Sequence, residues 1–328
     1  MNGNYLHPVI FLRKQIIGEH SIEELATRLA KKFSLEIICM PFHSTHIINL
    51  LRNIIFCKKI KAPAYYIISP TEAYLLPFLS GRKIITYHDL GTLLNSRNAI
   101  YRYFKIKFFL KPSIKYADYI TFVSNQTKEE FLSFFKIKKD EKLSVIYNSY
   151  NPIFKPAKIK HQNECFTILH VGTSPRKNLS NVLLAIKQLN LKIIIVGKLN
   201  TEQKKILDSY PFNYENVYDI STSELVKLYQ NSDLITFPSS YEGFGMPIIE
   251  ANAAQIPIIA GDIEILHEVG NDAAYFVDGK DIGSIRNGII QLMNDENLRE
   301  TLIRNGINNC KRFSENEIYL QFKELLGV

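Results

Sequence analysis

The sequence predicts an α/β protein with parallel sheets in two domains, on three observations. Short β-branched runs alternate with longer amphipathic stretches, the alternation restarts past mid-chain, and 328 residues exceed what one hydrophobic core usually organises. Strand-like runs fall at residues 9–12, 36–40, 65–69, 83–87 and 119–123, then at 167–171, 192–196, 233–237 and 256–260. Helix-length stretches lie between them, for example at 21–33, 179–188 and 221–230. Ser21 with Glu24 and Ser221 with Glu224 have the spacing of a capping box, in which side chain and backbone at a helix start satisfy each other. Residues 151–160 carry Pro152, Pro156 and three lysines and read as a linker. The expected division is therefore 1–157, 158–310 and a C-terminal helical segment, 311–328, returning toward the first domain.

Composition narrows the function classes. Apolar content of 46% with 22% charged residues is that of a globular protein. Cys39, Cys57, Cys165 and Cys310 have no paired spacing, and His7, His43, His46, His161 and His170 have no metal-ligand spacing, so neither a disulfide framework nor a metal site is expected. The apolar run at 9–12 is too short for a signal-peptide core, and no stretch approaches the ~20 apolar residues of a spanning helix. A cytoplasmic protein is the expectation. Its net charge of +8 is uneven: residues 1–160 hold 25 Lys and Arg against 11 Asp and Glu, whereas the remainder is net acidic. A basic half seeks an anionic surface. Without a nucleic-acid-binding signature, that surface is expected to be a membrane at its inner face rather than nucleic acid. Residues 97–115 interleave cations with aromatics before Pro112, as an interfacial helix does, and would make the contact.

In parallel sheets, ligands gather at the carboxyl ends of strands. His88 and Asp89 follow the run at 83–87, Gly172 follows 167–171, Gly197 follows 192–196, and Glu242 lies after 233–237. Strand ends from both halves suggest a cleft between two domains. Residues 237–254 are the most informative stretch. Gly243 and Gly245 let backbone approach a ligand, Pro247 suits a helix start, and Glu242 and Glu250 bracket that start. In Gly172-Thr-Ser-Pro-Arg-Lys-Asn-Leu, Arg176 and Lys177 precede a helix whose first N–H groups and dipole favour phosphate. The spacing is not that of a Walker loop.

Together, Tyr87-His-Asp-Leu, Gly172-Thr-Ser-Pro-Arg-Lys-Asn, Phe237-Pro-Ser-Ser-Tyr-Glu-Gly-Phe-Gly-Met-Pro-Ile-Ile-Glu-Ala and His267-Glu-Val-Gly-Asn-Asp-Ala-Ala resemble the family 4 retaining glycosyltransferases, the group 1 glycosyl transferases of GT-B fold. The resemblance implies two Rossmann-like domains with parallel sheets facing across a cleft. It implies transfer of a sugar, with retention, from a nucleotide-diphosphate donor to a glycan or lipid-linked acceptor, in surface polysaccharide synthesis. By that resemblance Glu242 contacts sugar hydroxyls, Glu250 holds the ribose, Arg176 and Lys177 stabilise the diphosphate, and His88 stands by sugar and acceptor. Backbone at Gly172, Gly243, Phe244, Gly245 and Met246 contacts donor, and the strand end at Gly197 with the segment near Ile220 reads the base. No cofactor or bound metal is implied. Thr173 stands where many members carry arginine, Gln255 replaces a common glycine, and Gly18 alone represents the N-terminal glycine-rich loop. Two other readings compete. Gly243-Phe-Gly-Met-Pro-Ile with Asp262 partly matches the fingerprint of a NAD-dependent oxidoreductase, but Ile248 fails its third small position. A catalytically silent GT-B partner would be marked by loss of Glu242 or His88, and both are present.

Overall fold

The computed structural model describes residues 3–14, 21–44, 46–91, 98–135, 142–157 and 165–328. Gly18, the Ser21 side chain and residues 158–160 of the expected linker lie outside the described residues. The chain forms two compact units, residues 1–148 with 316–328 and residues 149–315.

The first unit contains strands β1 (Gly3–Asn4), β2 (Val9–Leu12), β3 (Glu36–Cys39), β4 (Ile60–Lys61), β5 (Ala64–Ile67), β6 (Arg82–Tyr87), β7 (Tyr119–Phe122) and β8 (Leu143–Val145). Six of them form a parallel sheet in the order β3-β2-β5-β6-β7-β8, while β1 and β4 pair separately. Strand alternation sorts side chains to two cores. Val9, Phe11, Tyr65 and Ile67 enter one cluster, and Ile10, Leu12, Tyr66 and Ile68 enter the other. Tyr66 donates to or accepts from Thr86 Oγ1 at 2.8 Å, and Thr86 meets Thr121 at 2.6 Å, so a chain of hydroxyls crosses three buried strands without an unpaired group. The C-terminal helix Glu315–Leu326 covers this face with Ile318, Tyr319, Phe322 and Leu326, its Phe322 ring 5.3 Å from that of Tyr66.

The second unit contains β9 (Thr167–Val171), β10 (Lys192–Val196), β11 (Asn213–Val217), β12 (Leu234–Phe237), β13 (Ile258–Gly261) and β14 (Tyr275–Val277). They form a parallel sheet ordered β11-β10-β9-β12-β13-β14, the Rossmann order. The capping box of Ser221 and Glu224 forms at the start of helix Thr222–Gln230.

Five strands, β1, β4, β8, β11 and β14, were not expected from sequence; β1 and β4 form the two-stranded sheet, the other three are edges of the six-stranded sheets, and β11 is largely exposed. The unit boundary also falls at 148/149 rather than 157/158. Phe154 is buried and packs edge-on against Tyr229 at 5.2 Å, and Lys155 O accepts from Gln230, so this proline-containing stretch is part of the second unit's packing. Residues 311–315 likewise stay with the second unit, where Phe313 is fully buried.

Truncating Phe322 would leave a void beside Tyr66 in the first unit. Phe322→Ala is expected to cost about 3–5 kcal/mol, measured by urea denaturation.

Candidate active site

In the second unit the direction of strand order reverses between β9 and β12, and the loops after those two strands carry Gly172, Arg176, Lys177 and Glu242 to Gly245 of the predicted donor residues. After β9, Gly172 adopts φ +96°, and a side chain there would crowd the aliphatic stem of Lys177 at 3.1 Å. A 3-10 turn, Pro175–Lys177, then presents Arg176 and Lys177, and Asn178 in the left-handed region leads into helix Leu179–Ile186. The loop after β12 is laced to this turn. Arg176 O accepts from the Ser240 backbone N–H at 2.9 Å, with Ser239 Oγ 3.0 Å away, and Asn178 Nδ2 donates to Pro238 O at 2.7 Å.

That lacing brings Lys177 Nζ to 2.7 Å from Glu242 Oε1, and Ser239 Oγ donates to the same oxygen at 2.6 Å. Ser239 is fully buried and Glu242 only 8% exposed. The ammonium also lies 4.3 Å from the centroid of the Phe237 ring. Burial lowers the Lys177 pKa, and the adjacent Glu242 carboxylate acts against that shift. The lysine expected as a phosphate ligand is thus already held by the carboxylate expected to bind sugar.

Gly245, at φ +110°, caps helix Met246–Ala254, with Pro247 in its first turn. A Cβ at Gly245 would meet Leu266 at 2.7 Å, so only glycine allows this helix start to approach its neighbour. The helix carries Glu250, whose Oε2 accepts from Tyr229 OH at 2.9 Å. Burial raises the Tyr229 pKa, and Glu250 raises it further, so the phenol stays a donor. Phe244 turns its side chain inward, edge-on to Phe313 at 5.6 Å. Gly197, at φ +135°, follows β10, and Asn216 Nδ2 donates to its carbonyl at 2.9 Å. Ile220 is half-buried on the loop after β11. His267 is paired to Asp262 at 2.6 Å and stacked on Phe276.

In the first unit, strand order reverses between β2 and β5. His88 lies after the neighbouring β6, with Nε2 2.9 Å from Ile68 O. A carbonyl only accepts, so Nε2 carries the proton and Nδ1 keeps its lone pair. Burial pushes the His88 pKa down to about 4, against the opposing effect of that hydrogen bond, so the ring is neutral near pH 7. Past the carboxyl end of β5, the buried carboxyl of Glu72 is bonded to Thr71 and, at 3.1 Å, to Ser44 Oγ. Burial raises its pKa to about 7, opposed by hydroxyl donors and by Arg13, which also acts electrostatically on His88. Glu72, Ser239 and Tyr229 were not anticipated. Only the position of Ser69-Pro-Thr-Glu72 after a buried strand could have signalled the first. Among the described residues, no group of three or more His, Cys, Asp or Glu is arranged to hold a metal ion.

Two doubly wound parallel units of six strands each are the architecture of the GT-B class. Solved structures share the fold over nearly the whole chain. Sucrose-phosphate synthase from Thermosynechococcus elongatus aligns with a TM-score of 0.78 at 18% identity, covering 97% of this chain and 98% of that one. HepE of Anabaena, in complex with UDP and glucose, also aligns at 0.78, with 14% identity and coverage of 98% and 99%. Residues 153–309 match the family described as glycosyl transferases group 1, and the chain belongs to that family. The O-antigen chain mannosyltransferase RfbU of Salmonella typhimurium is 31% identical over 228 residues, 67% of this chain and 63% of RfbU. The capsular polysaccharide biosynthesis glycosyltransferase CapM of Staphylococcus aureus is 26% identical over 275 residues, 76% of this chain and 72% of CapM.

Glu72 supplies a pH prediction. With its folded pKa raised from 4.5 to about 7, the folded state binds more protons than the unfolded state between those values, so its contribution to stability is present at low pH and lost as pH rises through 7. Glu72→Gln should therefore gain stability relative to the parent protein as pH rises from 4.5 to 8, by up to about 3 kcal/mol. Thermal melts of both proteins across that range would measure it.

Proposed function

We propose that the protein is a retaining glycosyltransferase that moves a sugar from a nucleotide-diphosphate donor to a glycan or lipid-linked acceptor in surface-polysaccharide synthesis. The observation that carries this reading is the Lys177–Glu242–Ser239 contact, with Arg176 beside it, at the second unit's switch point. The names of RfbU and CapM support the polysaccharide context, and the UDP and glucose bound by HepE support the donor class.

The donor diphosphate lies along Arg176, Lys177 and the Gly172 turn, with its sugar toward Glu242 and its ribose toward Glu250. As the bond from the anomeric carbon to the β-phosphate oxygen breaks, negative charge concentrates on that phosphate. Preorganised cations and N–H donors stabilise it more than they stabilise the intact donor. The acceptor oxygen bonds to the anomeric carbon on the face the phosphate leaves, and the acceptor's proton passes to the departing phosphate oxygen. Glu242 releases part of its hold on Lys177 to the phosphate and turns to sugar hydroxyls, while Tyr229 keeps the Glu250 carboxylate oriented for the ribose. Neutral His88, at the carboxyl edge of the first unit's sheet, serves sugar and acceptor. The side chains of Arg176 and Lys177 supply the neutralising charge that a metal supplies elsewhere. The protein works at an anionic inner membrane face, which it meets through the basic aromatic residues 97–115.

UDP, GDP and ADP should be compared by thermal shift. The matching nucleotide should raise the melting temperature, since a ligand at 100 times its Kd adds about 2.7 kcal/mol; stabilisation by NAD and by none of the three would defeat this reading. Lys177→Ala and Glu242→Ala, folded by circular dichroism, should each lose about 100-fold or more of sugar transfer. Chelation by EDTA should leave the rate of the parent enzyme unchanged.

A further inference from the structure

Helix Ile47–Cys57, in the first unit, buries Asn53 and Cys57 and rests Leu50, Ile54 and Phe56 on the core. A surface helix ordinarily turns charged residues outward. This one presents Ile47, Ile48, Leu51 and Ile55, between 56% and 68% exposed, at spacings that place them on one outward stripe. Cations border the stripe: Arg52 lies over Phe42, Lys58 lies over the part-exposed Phe78, and Lys59 follows.

The same helix is joined through one side chain to the basic aromatic segment. Asn53 Nδ2 donates to Tyr74 OH at 2.9 Å, and Phe109 meets the Tyr74 ring edge-on at 6.2 Å. Phe109 belongs to a helical run made of Ala99–Lys105, a π-helical stretch Ile106–Leu110 and Lys111–Tyr116. Its first turns expose Ile100, Tyr101, Tyr103 and Phe104, with Arg102, Lys105 and Lys107 among them.

We infer that the outward stripe of helix Ile47–Cys57 is the apolar half of a docking surface for an anionic lipid bilayer, its cationic half being the 99–116 run. This rests on the membrane reading above and adds to it the element that inserts. Aliphatic side chains enter the acyl boundary while neighbouring Lys and Arg reach back to phosphate headgroups. Charge selects this occupant. Residues 1–160 carry 25 Lys and Arg against 11 Asp and Glu, so two copies of the same basic face repel, whereas an acidic membrane attracts it.

Flotation with phosphatidylglycerol–phosphatidylethanolamine vesicles, against phosphatidylcholine alone, tests the inference. The parent protein should float with the anionic vesicles and retain part of that binding in high salt. Ile48→Ser/Leu51→Ser/Ile55→Ser should bind them at least about tenfold more weakly, with unchanged melting temperature and nucleotide-induced shift. Arg102→Glu/Lys105→Glu/Lys107→Glu should lose binding by removing the electrostatic attraction. If the serine variant binds as the parent does while the glutamate variant does not, the role of helix Ile47–Cys57 is overturned and the reading of the basic run stands. If the parent protein binds no vesicles, both fall. If light scattering finds a dimer that the serine variant dissociates, the stripe joins two copies and the lipid assignment is overturned.

Discussion

The candidate site of the second unit depends on keeping an ammonium and a carboxylate together where water scarcely reaches. Removing Lys177 and Glu242 from solvent is unfavourable, and their attraction offsets that cost only when the remaining hydrogen-bonding capacity is also met. Ser239 meets part of it by donating to the same carboxylate oxygen that accepts from Lys177. Losing one member of such a pair costs about 3–5 kcal/mol in general. The geometry is set by backbone rather than by the charges. Arg176 O accepts from the Ser240 N–H and Pro238 O from Asn178 Nδ2, contacts that hold the turn after β9 against the loop after β12 without involving either charged side chain. Lys177 is thus a cation already fixed in position by the fold.

Both units follow one topological rule with different residues. Where the strand order reverses, neighbouring connections leave on opposite faces of the sheet and open a crevice at the carboxyl ends. The second unit fills that place with the cations Arg176 and Lys177, the glycines Gly172 and Gly245, and the acids Glu242 and Glu250. The first fills it with Glu72, Ser44 and the proximity of Arg13, beside a histidine whose burial keeps it uncharged. One half is organised around fixed charge, the other around groups held near neutrality.

The central strands were legible because parallel strands covered on both faces must be continuously apolar. Residues 9–12, 167–171 and 192–196 coincide with β2, β9 and β10. Of the four edges of the six-stranded sheets only β3 was legible; β11 reads Asn-Tyr-Glu-Asn-Val, has a largely exposed face, and is specified by pairing with β10 rather than by its own pattern. In the site, the two acids and their glycines form one contiguous stretch and could be read directly. Ser239 and Tyr229 act through partners brought to them by folding, Lys177 with Glu242 for the first and Glu250 for the second. Neither residue type at its position announces such a contact. The packing of Phe154 and Lys155 into the second unit was hidden for a related reason, since two prolines outweighed the single phenylalanine between them.

That phenylalanine bears on how the protein can be divided. Phe154 braces the ring of Tyr229, and Tyr229 orients the carboxylate of Glu250. A gene fragment for the second unit that began after the prolines would omit this brace while keeping every strand of the sheet. Chimaeras that exchange halves between relatives face the same limit. A join placed upstream of residue 149 carries the brace with the unit it serves, whereas one placed in the stretch that looks most like a hinge separates them.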